Sequence, residues 1–129
     1  MPGEYSAKVL DHYRHPRNFG KLDQPTHTAE ELNPLCGDEI KVYLLVKNDR
    51  IEDIKYETRG CALSIASASL VSEEIRNFLP KADQPGVGNL EIRNWNLKNM
   101  EQLLGVKVNK ARESCITLAL NTIKKAVKN

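Results

Sequence analysis

Residues 39–79, "EIKVYLLVKNDRIEDIKYETRGCALSIASASLVSEEIRNFL", change hydrophobic period at one point, Gly60–Cys61. That switch is the strongest constraint on the fold. Before it, Ile40, Val42, Leu44 and Val46 alternate as one face of a strand. "NDR" turns the chain, and "IEDIKYETR" supplies the second strand of a hairpin. After the switch, Ala62, Ile65, Ala66, Ser69 and Leu70 recur at helical spacing. Cys61 therefore stands where a strand ends and a helix begins.

The flanking segments extend this pattern. "EYSAKVLDHYRH" carries Tyr5, Val9 and Tyr13 on one helical stripe with Leu10 beside them, and "HPRNFG" ends that helix. A third strand is expected near "THTAEEL". "KADQPGVGN" reads as a loop, and "NLKNMEQLLG" as a short helix stopped by Gly105. "ARESCITLALNTIKKAV" is the last helix, with Cys115, Leu118, Ala119, Thr122 and Ala126 on one face. Basic residues crowd its C-terminal end, where the helix dipole favours them; Lys124 and Lys125 are expected to be solvated there. Strands first and helices after them predict an α+β fold: a small antiparallel sheet of about three strands packed by helices, with residues 1–129 as a single domain.

Charge and hydropathy narrow the function. The chain has 129 residues and a formal net charge of +2, with the two signs interspersed. It shows no basic stripe for nucleic acid and no stretch near the ~18 apolar residues of a membrane helix. The charged, amphipathic N-terminus lacks an apolar signal core, so a cytoplasmic location is expected. A chain of this length builds a core without disulfide staples.

Three cysteines, Cys36, Cys61 and Cys115, leave one over from any disulfide pairing and form no CxxC pair. Each stands at a junction. Cys36 lies in the Pro/Gly turn "NPLCGDEIKV" with Asp38 two positions on, Cys61 at the strand-to-helix switch, and Cys115 in the first turn of a helix. Helix N-termini offer unpaired N–H groups and a positive dipole end, which hold a thiol as thiolate. Arg59 and Arg112 add positive charge nearby. Thiolates bind zinc and iron–sulfur clusters and act as sulfur nucleophiles. Asp38 would complete a four-donor set, and its hard oxygen would make a cluster site labile. The competing reading is three unrelated core thiols, since free cysteine is commonly buried and inert. Cys36 weighs against it, because a Pro/Gly/Asp loop is a poor place for a core residue. The histidines carry less: His12 suits packing or surface, His15 is expected to be solvated, and His27 has no evident partner.

Together these residues resemble the U-type iron–sulfur cluster assembly scaffolds: IscU, the N-terminal domain of NifU, and SufU. "YSAKVLDHYRHPRNFG" is similar to the family's opening helix and Pro-Arg-Asn turn. "NPLCGDEIKV", "IEDIKYETRGCALSIASASL" and "RESCITLAL" are similar to its three cysteine motifs, in order. The resemblance implies an α+β fold of the SufE/NifU-like kind, with the cysteines meeting at one exposed end. It also implies that a cysteine desulfurase delivers persulfide sulfur, that a [2Fe–2S] cluster is assembled, and that the cluster passes to acceptor proteins. Cys36, Asp38, Cys61 and Cys115 match the family's cluster and metal residues, with Zn2+ held in the isolated protein. Cys36 and Cys115 are the candidate persulfide acceptors, and Arg112 is a candidate ligand switch that pairs with Asp38.

Two departures stand out. IscU proteins carry His before the third cysteine, where this chain has Ser114, and a hydroxyl is a poor substitute for imidazole. The Leu-Pro-Pro-Val-Lys motif read by a dedicated Hsp70 chaperone is absent from "LGVKVNKARESC", so that interaction is not expected. The missing His and the "KADQPGVGNLEIRNWN" stretch resemble SufU, a zinc-dependent sulfur acceptor that relays persulfide. The resemblance thus leaves open a scaffold or a sulfurtransferase-like role.

Overall fold

A computed structural model describes residues 6–33, 37–47, 50–77, 95–105, 107 and 109–128. Three strands, β1 (His27–Asn33), β2 (Asp38–Lys47) and β3 (Arg50–Arg59), form one antiparallel sheet in the order β1-β2-β3. The helices are α1 (Ala7–Arg14), α2 (Ala62–Asn77), α3 (Leu97–Leu104) and α4 (Glu113–Lys128), with a 3-10 turn at Lys110–Arg112 before α4. This is the α+β arrangement the alternating and helical periods call for. The weak "THTAEEL" pattern is a real strand, while "KADQPGVGN" lies outside the described residues.

The hairpin register places the site. Asn33 stands opposite Asp38 across β1 and β2, and Glu39 opposite Arg59 across β2 and β3. The Gly37 N–H donates to the Asn33 carbonyl at 2.8 Å, with Gly37 at φ 71, a conformation that costs other residues a clash. The start of β2 and the end of β3 therefore lie side by side at one end of the sheet.

Helices α2 and α4 cover one face of that sheet. Ile40, Val42, Leu44, Ile54 and Tyr56 from the strands are buried in one core with Leu63, Leu70, Ile116, Leu120 and Ile123 from the helices. Burial of each such side chain stabilises the fold by about 1.5–3 kcal/mol before entropy is counted. Burial also pushes the Tyr56 phenol up to about 12. The opposite face of the sheet is polar: Lys41 pairs with Glu30 at 3.4 Å, Arg59 with Glu39 at 3.9 Å, and the Tyr43 hydroxyl donates to Glu57 at 2.6 Å. α4 buries more than the expected stripe, because it packs on both α2 and the sheet; Ile116, Leu120, Ile123 and Val127 join Cys115, Ala119, Thr122 and Ala126.

Two sequence expectations need correction. On α1 the buried residues are Val9 and His12, while Tyr13 is exposed. The reason is polar: the serines of α2 replace apolar surface under α1. The His12 Nδ1 lies 2.7 Å from Ser69 Oγ, which also accepts the Arg17 N–H at 2.9 Å. Nor are Lys124 and Lys125 merely solvated. Lys124 donates to the Trp95 carbonyl, and Lys125 pairs with Glu31 on β1 at 2.9 Å, so both tether α4 to its neighbours. Among the described residues, no helix is long and apolar enough to cross a membrane.

Candidate metal centre

Three junctions converge at the end of the sheet. Asp38 opens β2 and is fully buried. Cys61 is the N-cap of α2, its carbonyl accepting the Ile65 N–H at 3.1 Å, and it is half-buried. Cys115 is the third residue of α4 and fully buried. Upstream, Asn109 caps the 3-10 turn by accepting the Arg112 N–H at 3.1 Å on its side chain. The ligand atoms of Asp38, Cys61 and Cys115 all lie within 4.8 Å of one another.

The carboxylate is held at the N-terminus of α2. Asp38 Oδ1 accepts the Cys61 N–H at 2.9 Å, and Oδ2 accepts the Ser64 hydroxyl at 2.7 Å. Cys61 Sγ lies 4.0 Å from Oδ2. Negative charge is favoured there by the unpaired N–H groups and the dipole. Gly60 makes this approach possible. It sits at φ +154, and a Cβ on it would come within 2.2 Å of Asp38 Oδ1.

The donor set fits a metal. It combines two soft sulfurs with one hard oxygen, a mix that zinc and iron accept. Among the described residues, the carboxylate's hydrogen-bond donors are uncharged groups: the Cys61 N–H, the Ser64 hydroxyl and, at 4.0 Å, the Cys61 thiol. A fully buried carboxylate is costly unless it is paired with positive charge, and a metal supplies that charge.

Ser114 is turned to another task. Its Oγ accepts a hydrogen bond from Asn33 Nδ2 at 3.1 Å, tying the end of β1 to the start of α4. Arg112 lies in the turn three residues before Cys115 and is half-buried, whereas Arg59 faces out toward Glu39. Cys36 falls outside the described residues. The site differs from an open rim: Cys115 and Asp38 are inside, and Cys61 is the more accessible of the two described thiols. Sequence reasoning missed three residues that build the site. Ser64 hydrogen-bonds Asp38, Asn33 stands opposite Asp38 in the ladder and ties Ser114 to β1, and Gly60 admits the carboxylate. The signals were present: a hydroxyl at the third helical position, a Gly before a helix-capping Cys, and an Asn next to the Pro turn.

The fold and the clustered thiols and carboxylate define a U-type α+β domain. The profile of the NifU-like N terminal domain family matches residues 4–129, and the chain belongs to that family. It is similar to the IscU iron–sulfur cluster assembly scaffold protein of Thermotoga maritima, 36% identical over 96% of this chain and 92% of that protein. The zinc-dependent sulfurtransferase SufU of Bacillus subtilis is 32% identical over 95% of this chain and 88% of its own. IscU 1 of Archaeoglobus fulgidus is 48% identical, but over 54% of this chain and only 45% of that protein. The crystal structure of FiSufU from Fervidobacterium islandicum AW-1 superposes with a TM-score of 0.76 at 27% identity, covering 96% of each chain.

Proposed function

We propose that this chain is an iron–sulfur cluster assembly scaffold that receives sulfur from a cysteine desulfurase and builds a [2Fe–2S] cluster for transfer to acceptor proteins. The observation that carries the reading is the convergence of Asp38, Cys61 and Cys115 within 4.8 Å at two helix N-termini. Cys36 is the fourth donor. It is two residues from Asp38, so their Cα atoms are at most about 7 Å apart, which keeps it within reach of the others. The iron and sulfide are cargo. Cys61 and Cys115 would hold iron through sulfur, and Asp38 would supply the hard, exchangeable oxygen.

Sulfur arrives as persulfide. A thiolate of this chain attacks the outer sulfur of the desulfurase persulfide; the new S–S bond forms as the old one breaks, and the desulfurase thiolate leaves. Each transferred sulfur then takes two electrons to become sulfide, supplied by ferrous iron and by excess cysteine thiol, which ends as disulfide. Cys36 suits that step better than Cys115, which is buried behind the helix start. Arg112 is the cation that would pair with Asp38 once the carboxylate leaves the metal, opening a coordination position.

A second reading makes the chain a zinc-dependent sulfur acceptor, with Zn2+ resident on Cys36, Asp38, Cys61 and Cys115. Bound there, zinc would hold the thiols deprotonated. Ser114 favours this reading, because it is tied to Asn33 and leaves the site without an imidazole. Anaerobic reconstitution with ferrous iron, cysteine and desulfurase separates the two. Bound iron and sulfide with visible charge-transfer absorption support the scaffold. Retained zinc with persulfide on the chain and no sulfide supports the relay. Neither metal bound rejects both.

A further inference from the structure

Ser64 touches every described member of the site. It is the third residue of α2 and is buried. Its Oγ lies 2.7 Å from Asp38 Oδ2, 3.2 Å from the Cys115 carbonyl oxygen and 3.6 Å from Cys61 Sγ. A serine hydroxyl has one hydrogen, so it donates to Asp38 or to the Cys115 carbonyl, never to both.

The two rotamers have opposite consequences for the carboxylate. With the hydrogen on Oδ2 and the Cys61 N–H on Oδ1, both oxygens of Asp38 carry a donor and the group is parked on α2. With the hydrogen on the Cys115 carbonyl, the Ser64 and Asp38 oxygens face each other lone pair to lone pair at 2.7 Å. That contact is repulsive, and the carboxylate must move off. Its neighbour on that side is Cys61 Sγ, 4.0 Å from Oδ2.

We propose that Ser64 is a positioning residue that sets how readily Asp38 ligates a metal held by the cysteines, parking the carboxylate in one rotamer and releasing it in the other. The inference rests on Asp38 being a ligand. It makes the exchangeability of that ligand a property of a competing hydrogen bond as well as of its hard oxygen. A charge-assisted hydrogen bond of this kind competes with the metal for the same oxygen lone pairs.

The test uses the full chain loaded anaerobically with zinc, and measures the rate of zinc transfer to a colorimetric chelator. Removing the competitor by Ser64→Ala is expected to slow release about tenfold, the scale of one hydrogen bond to a charged group. Ser64→Thr keeps the hydroxyl and restores the wild-type rate. In an Asp38→Ala background, Ser64→Ala has no further effect. The cobalt(II) ligand-field spectrum provides a second readout: Ser64→Ala shifts the bands, and the shift vanishes without Asp38. A purely structural role predicts the reverse, faster release in Ser64→Ala whether or not Asp38 is present. Release at or above the wild-type rate, or an effect that persists in the Asp38→Ala background, overturns this inference while leaving the metal site standing. A wild-type chain that binds neither zinc nor cobalt overturns the metal site and this inference with it.

Discussion

Gly60→Ala is the smallest perturbation that the geometry forbids. The added Cβ would lie 2.2 Å from Asp38 Oδ1, 2.7 Å from Cγ and 3.0 Å from Cβ. These atoms sit close to the β2 backbone, so no flexible side-chain end is available to swing aside. Asp38 must move by about an ångström, and Oδ1 then loses the Cys61 N–H it accepts at 2.9 Å. A lost hydrogen bond to a buried charge costs about 1.5–3 kcal/mol. The backbone at φ +154 adds about 1–3 kcal/mol for a residue with a Cβ. The expected loss is about 2.5–6 kcal/mol if the two costs are independent. Urea unfolding of the reduced, chelator-treated chain reads it directly. With a slope of about 1–3 kcal/mol per molar for a domain this size, the midpoint falls by more than about 1 M. A midpoint within about 0.3 M of wild type, at unchanged slope, would refute the argument that Gly60 is there to admit the carboxylate.

Three further outcomes follow. Asp38→Ala should weaken zinc binding by at least about tenfold, since it removes a charged ligand, whereas Ser114→Ala should change it only a few-fold, because Ser114 is occupied by Asn33; equal effects by competition titration would reject Asp38 as the oxygen ligand. Mass spectrometry after anaerobic mixing with desulfurase and cysteine should find persulfide lost in Cys36→Ala and retained in Cys115→Ala, and the opposite pattern would reverse the order of sulfur transfer. Burial, then the Arg17 charge, hold the His12 imidazole below its usual range despite Glu73. The unfolded chain therefore binds the extra proton first, and the His12 contribution is complete above pH ~6.5 and is lost as pH falls below it. Urea midpoints of the chelator-treated chain at pH 7.5 and 5.5 should drop less in His12→Gln than in wild type, and parallel drops would remove His12 as the cause.

Much of the fold was legible because the strands and helices carry different periods and meet at one residue. Ile40, Val42 and Leu44 alternate, Ala66, Ser69 and Leu70 step helically, and Gly60–Cys61 marks the change. The strand at residues 27–33 was faint, since His27, Thr28, Glu30 and Glu31 are polar and only Ala29 and Asn33 are buried there. Its pairing with β2, a tertiary effect, decides it. Tyr13 shares the Val9 stripe by its i+4 spacing, while the serines under α1 select His12 by hydrogen bonding. That kind of choice does not appear in a hydrophobic pattern. The site was legible as residue types at junctions. What joins Asp38 to Cys61 and Cys115 was not, because Ser64 and Gly60 act through distances of 2–4 Å between elements that are remote in the chain.

In the proposed site, the thiols of Cys36, Cys61 and Cys115 and the Asp38 carboxylate share a single metal position. X-ray absorption at the zinc edge of the zinc-loaded full chain measures that ligand shell. Three sulfurs near ~2.3 Å and one oxygen at ~2.0–2.2 Å are expected, with one sulfur fewer in each of Cys36→Ala, Cys61→Ala and Cys115→Ala. A shell of nitrogen and oxygen alone, or a sulfur count that does not change in Cys61→Ala or Cys115→Ala, would contradict it.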